Sequence, residues 1–261
     1  MNIVVLAKLV PDLVEELEID DSGTALDMTW LRLIINEFDD HAIEEAILLK
    51  ERTGANVTVL APDIEGVDDI LFTAAAKGAD RLIKIVGDYE SGVNNHGLAR
   101  VLTPVIKDLQ PDLILAGVEA HEDLDGSIGP LLAGYLDLPF IGYVASIQLE
   151  EGKATTTKEY PGGLSAEMEV ALPAVLGIQV AEEPPRYVAV SKVRQAMKTA
   201  EIEELEAGDF DLSGGPTIIR MYQSEVGEGA TIIDGSLDEI ADSLIGIFKE
   251  LGVQWQEDFN E

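Results

Sequence analysis

The chain has 261 residues, 46% of them hydrophobic, which is enough to bury one sizeable core. Its 17 Lys and Arg against 50 Asp and Glu give a formal net charge of −33, which argues against nucleic acid or an anionic membrane as partner. Cysteine is absent, which removes disulfides, thiolate metal sites and cysteine nucleophiles, and no apolar run approaches the ~18 residues of a membrane span.

The opening "MNIVVLAKLVPD" goes straight into a strand-like run and lacks the pattern of a signal peptide, so a cytoplasmic protein without membrane insertion is expected. Short, continuously apolar runs then recur: "NIVVLAK", "NVTVLAP", "RLIKIVG" and "DLILAGV". Runs of this kind fit strands buried on both faces of a parallel sheet. Helical patterns separate them. "DDHAIEEAILLKER" aligns Ala42, Ile43, Ala46, Ile47 and Leu49, with its acids early and its bases late, as the helix dipole favours. "GVDDILFTAAAKGADR" predicts a second helix closed by Gly78, and "NNHGLARVLTPVIKDLQ" a third, weakened by Gly97 and Pro104. Strand and helix alternate, so the expected architecture is α/β, a mostly parallel sheet with helices on both faces.

After Pro139 the texture becomes alternating and rich in Val and Thr, with the turn signals "EEGK" and "PGG". The whole stretch to "LPAVLGIQV" reads as antiparallel strands and hairpins added to the sheet. From about Ala196 the chain turns acidic and irregular, then offers a strand-like "IIRMY" and a last helix near Ser236–Leu251. The expected division is an α/β domain over residues 1–195 and a C-terminal arm over 196–261.

Ligands of open α/β sheets bind outside the carboxyl ends of the strands. One loop there, "GVEAHEDLDGSIGPLLAGYL", begins at Gly117 and supports two readings. Asp125 or Ser127 caps the helix that follows, or the N–H groups from Gly126 to Gly129 also hold an anion. The four carboxylates Glu119, Glu122, Asp123 and Asp125 oppose the second reading unless they turn away or accept bonds themselves. A second stretch, "IINEFDDHAIEEA", predicts a helix start capped by Asp39 or Asp40, with Phe38 in the core. His41, His96 and His121 are too scattered for zinc, and His121 reads as exposed. Neither a P-loop nor a Rossmann fingerprint nor a nucleophile elbow is present. The residues alone thus describe a nucleotide-sized α/β pocket without catalytic machinery.

The runs "VVLAKLVPD", "INEFDDHAIEEAILLKE", "AAAKGADR", "GSIGPLLAGYLDLP", "LPAVLGIQV" and "PPRY", in this order, resemble the beta subunit of electron transfer flavoprotein. The tail from "IIRMY" to "IGIFKEL" resembles the longer-tailed branch that includes the partner of trimethylamine dehydrogenase. The resemblance implies an adenine-nucleotide-hydrolase-like fold and an electron-carrier subunit that is not an enzyme alone. It implies an alpha subunit as partner, a dehydrogenase with flavin or iron–sulfur centres as donor, and an oxidoreductase as acceptor. It implies AMP in this chain and an FAD shared with the alpha subunit. The nucleotide residues it marks are Leu6, Ala7, Asn36, Glu37, Phe38, Asp39, Ala61, Pro62, Asp125, Gly126, Ser127, Ile128, Gly129 and Pro130. Leu124 and Ser127 depart from the pattern of members that bind a second FAD, which favours AMP. Docking of the donor would fall on Glu182, Glu183, Pro184, Pro185, Arg186 and Tyr187, with Glu182 and Glu183 where the family carries a Leu-Asn pair. A glutamate cannot fill a leucine pocket without desolvation cost, so the pattern implies a different partner or a basic pocket. The alternatives are a second FAD in place of AMP, or a nucleotide-binding homodimer of universal-stress type.

Overall fold

The computed structural model describes residues 1–87, 89, 94–124, 128–207, 211, 213–224 and 229–253. It divides the chain into two units, Met1–Met221 and Tyr222–Glu261.

The first unit is α/β. Its strands are β1 (Asn2–Leu6), β2 (Leu9–Pro11), β3 (Leu33–Ile35), β4 (Asn56–Pro62), β5 (Arg81–Val86), β6 (Leu113–Gly117), β7 (Phe140–Glu150), β8 (Lys153–Tyr160), β9 (Leu164–Ala171), β10 (Ala174–Ile178) and β11 (Ile202–Glu206). Its helices are α1 (Glu37–Thr53), α2 (Val67–Lys77), α3 (Asn95–Leu109), α4 (Ile128–Leu136) and α5 (Val190–Thr199). Nine strands form one sheet in the order β11-β5-β4-β1-β6-β10-β7-β8-β9, while β2 and β3 make a separate antiparallel pair. From β11 to β7 every pairing is parallel, and β8 and β9 close the sheet as an antiparallel hairpin.

The pleat explains why the central strands are apolar throughout, because successive side chains enter opposite layers. Ile3 and Val5 of β1 pack with Ala42, Ile43, Ala46 and Ile47 of α1 and Leu71 of α2. Val4 and Leu6 pack on the other face with Leu98, Val101 and Leu102 of α3 and Leu132 of α4. The expected helices are present, α2 ends at Gly78 in a positive-φ conformation, and α3 runs through both Gly97 and Pro104. The Asn94 side chain caps α3 by accepting the Gly97 N–H at 2.8 Å.

Several expectations need correction. "LPAVLGIQV" is not an added antiparallel strand: β10 is fully buried and parallel between β6 and β7, and β7 is parallel to it. "IIRMY" forms no strand; there the Met221 N–H donates to the Gly23 carbonyl at 2.7 Å. Beyond residue 195 the chain continues in the first unit. β11 pairs with β5, and Arg100 of α3 donates to the carbonyls of Asp211 and Ser213, so the chain stays with the first unit to Met221.

The second unit, taken by itself, carries α6 (Leu237–Glu250), close to the expected helix. Ser236 accepts the Glu239 N–H and Glu239 accepts the Ser236 N–H, a reciprocal capping box. Leu237, Leu244, Ile245, Ile247 and Phe248 are all exposed. No helix of the described residues is long and apolar enough to cross a membrane.

Candidate nucleotide site at the strand ends

Strand order reverses around β1: the chain moves outward through β4 and β5, then returns to place β6 on the other side. The carboxyl ends of β1, β4 and β6 therefore open a crevice, where open α/β sheets hold ligands. A small cavity of about 20 Å³ lies there. Leu6 lines it from β1 and Ala7 and Lys8 from just beyond it, Pro62 from β4, Asn36 and Asp39 from the start of α1, Gly117 from β6, Glu119, Ala120 and Asp123 from the loop after it, and Ile128 from α4.

The N-terminus of α1 is held against these strand ends by its own polar side chains. Asn36, and neither Asp39 nor Asp40, is the N-cap residue, and its side chain makes no cap bond. The expected capping by Asp39 is replaced by a longer reach. Its Oδ1 accepts the Gly117 N–H at 2.7 Å and its Oδ2 accepts the Lys8 N–H at 2.9 Å. Asn36 donates through Nδ2 to the Glu119 carbonyl at 3.0 Å. Asp40 instead pairs with Lys77 of α2. Gly117 is required for this approach, since a Cβ there would lie 2.5 Å from Asp39 Oδ1 and 2.8 Å from Phe38 Cβ. Burial raises the Asp39 carboxyl from an ordinary 3.8 to about 6, although the bonds from Gly117 and Lys8 favour its ionised form.

A second polar knot ties the loop after β6 to the end of β1. Lys8 Nζ donates to Asp123 Oδ1 at 2.6 Å and lies 3.4 Å from Glu122 Oε1. Asp123 also accepts from Asn95 Nδ2 at 2.8 Å and from the Ala120 N–H at 2.9 Å. Burial by itself would lower the Lys8 pKa; contact with Asp123, supported by Glu122 and Asp39, outweighs it and raises the ammonium above its ordinary range. Two of the four loop carboxylates are thus engaged by one half-buried cation.

The marked residues divide clearly. Leu6, Ala7, Asn36, Asp39, Pro62 and Ile128 meet on one cavity. Phe38 is half-buried and packs against Gly117, Glu37 is exposed, and Ala61 is buried in the core on the α1 side of the sheet. Gly129 sits tight against Phe140, where a Cβ would come within 2.8 Å of Cε2, and Pro130 lines a neighbouring groove. Asp125, Gly126 and Ser127 lie outside the described residues. His121 is exposed. Sequence reasoning did not single out Lys8, Asn95 or Gly117. Lys8 had one visible signal, as a charge directly following a buried strand in a chain poor in cations.

The segment marked for docking is fastened to α1 by carboxylates. Glu45 Oε2 accepts the Glu182 N–H at 3.0 Å, Glu44 Oε2 accepts the Arg186 N–H at 2.9 Å, and His41 Nδ1 accepts the Ala181 N–H at 3.2 Å. Arg186 turns inward, bonding Glu44 at 2.7 Å and Glu51 at 2.6 Å. The Glu182 carboxylate also turns back to the body, to Arg52 at 2.6 Å. Glu183, Pro184 and Tyr187 remain exposed, while Pro185 is half-buried.

A layered α/β sheet with a polar-walled crevice at its strand-order reversal has the layout in which open α/β folds hold ligands. Residues 29–210 match the family model described as "Electron transfer flavoprotein domain". The electron transfer flavoprotein subunit beta of Methylophilus methylotrophus is 35% identical over 96% of this chain and 98% of its own length. That of Clostridium acetobutylicum is 29% identical over the same shares, and that of Syntrophomonas wolfei 35% identical over 76% of this chain and 77% of its own. The chain belongs to the electron transfer flavoprotein beta-subunit family, which supports a role in electron transfer.

Proposed function

We propose that the chain is the beta half of a heterodimeric electron transfer flavoprotein, holding one AMP in the strand-end cavity. The observation that carries this reading is the convergence of Leu6, Ala7, Asn36, Asp39, Pro62 and Ile128, from four separate stretches, on one crevice. Backbone atoms of the strand ends and side chains of Asn36 and Lys8 would grip the nucleotide. The start of α4 from Ile128 would turn its first N–H groups to the phosphate. Lys8 removes the main objection to an anion there, because it neutralises Asp123 and draws Glu122 toward itself. The cavity of about 20 Å³ has room for roughly one water, so AMP enters only as the wall formed by Glu119, Ala120 and Asp123 moves outward.

FAD, shared with the alpha subunit, supplies the redox chemistry when bound; this chain contributes binding and orientation. A flavin or iron–sulfur dehydrogenase delivers the electrons and an oxidoreductase receives them. Docking uses Glu183, Pro184 and Tyr187, the exposed part of a segment whose Glu182 and Arg186 serve to anchor it. The exposed apolar residues of α6 serve as the arm that covers the alpha subunit.

The test is to co-express the chain with the neighbouring open reading frame and extract the nucleotides of the purified complex. One AMP and one FAD per heterodimer support this reading. A colourless homodimer carrying ATP would sink it, and two FAD per heterodimer would replace its AMP part alone.

A further inference from the structure

The loop after β6 has a second side. Its residues Val118, Glu119, Ala120 and Asp123, together with Pro130, face the β7–β9 sheet across a groove of about 540 Å³. That size lies within the ~300–1,000 Å³ of small-molecule sites. The far wall carries Phe140, Tyr143, Lys158, Tyr160 and Met168.

Three features make this wall more than exposed sheet. Lys158 Nζ lies 5.4 Å from the centroid of the Tyr143 ring and 5.3 Å from that of Tyr160, so two aromatic faces fix one ammonium. Lys158 has no carboxylate within ion-pair distance among the described residues, in a chain of net charge −33. Tyr143 holds a positive φ of 61°, at the irregularity where β7 passes from Ile141, opposite Leu176 of β10, to Val144, opposite Ile178. Such a conformation is strained for an aromatic residue, and irregularities of this kind re-aim a side chain. Both tyrosines remain nearly half exposed, at 44% and 45%.

We propose that this groove is a second ligand site, for a planar aromatic ring that bears an anionic group, of the flavin mononucleotide class. The ring packs among Tyr143, Tyr160, Phe140 and Met168, and the phosphate pairs with Lys158. Glu119, exposed at the near wall, accepts from ribityl hydroxyls or a ring N–H. Asp123 does not oppose the anion, because Lys8, Asn95 and the Ala120 N–H already engage its carboxylate. The choice of a flavin among aromatic anions rests on the electron-carrier reading above; the site itself rests on the groove alone.

The experiment titrates FMN, with riboflavin as the uncharged control, into the full chain in excess AMP, following quenching of flavin fluorescence. Saturable quenching by FMN that AMP does not displace is expected. Lys158→Met should weaken FMN by about tenfold and riboflavin by less than about twofold. Tyr143→Gly, which suits the positive φ and so keeps the fold, should weaken both ligands. Absence of saturable quenching, displacement of FMN by AMP, or equal loss of both ligands in Lys158→Met would each overturn the proposal. The AMP and FAD content of the co-expressed complex tests the carrier reading separately.

Discussion

Helix α1 buries acids in two places and uses them differently. At its start, Asp39 is fully satisfied, each oxygen taking a backbone N–H from a different strand end. Two turns on, Glu45 has one oxygen bonded to the Glu182 N–H, while its Oε1 is buried without a hydrogen-bond partner and Arg52 stands 3.5 Å away. Burial raises both carboxyls, Asp39 to about 6 and Glu45 to about 7, with the nearby Glu182 charge adding to the second. The difference teaches that a buried acid is not by itself a sign of chemistry. Asp39 shapes the strand-end crevice by fixing the ends of β1 and β6, whereas Glu45 fastens a surface segment and carries an unfilled acceptor as the cost.

The largest expected effect breaks the first of these sites. Gly117→Ala drives a methyl group into Asp39 and Phe38 and should destabilise the chain by ~3 kcal/mol or more, read from chemical denaturation. Asp39→Ala leaves the Lys8 and Gly117 N–H groups without their acceptor and should cost ~2–4 kcal/mol, with loss of AMP retention. Glu45→Gln should act in the opposite sense. A carboxyl raised from 4.5 to about 7 binds its proton more tightly in the folded chain than in the unfolded one. Its contribution to stability is therefore full below pH ~4.5, declines as pH rises to about 7, and is flat above. The variant should remove that share of the decline, gaining ~1–3 kcal/mol at pH 8 and little at pH 4, in denaturation curves measured across pH. The smallest effect is that of Glu182→Gln. It frees Arg52 for Glu45 and should bring the Glu45 pKa down, moving the declining window to lower pH while nucleotide content stays the same.

Much of the parallel sheet was legible because its cause is local. β1, β4, β5 and β6 are continuous apolar runs because both of their faces are covered. β10 is as apolar as these, yet its direction is set by where the chain re-enters the sheet, which no local pattern carries. β11 escaped because "IEELE" is an edge strand with only Ile202, Glu203 and Leu205 partly covered, so its charges mask its alternation. The site was half legible for a similar reason. Asn36 and Asp39 stand out at a helix start, but the bond joining Lys8 to Asp123 spans 115 residues of sequence. Likewise, the inward turn of Glu182 depends on Arg52, 130 residues earlier.

The central claim is that an adenine nucleotide binds at the strand ends and not elsewhere on the molecule. Hydrogen–deuterium exchange of the full chain, with and without AMP, tests it most directly. The account expects AMP to slow exchange at residues 6–8, 36–40 and 117–124, and to leave residues 143–168 and 181–187 unchanged. Protection confined to 143–168, or no protection at the strand ends at saturating AMP, would contradict it.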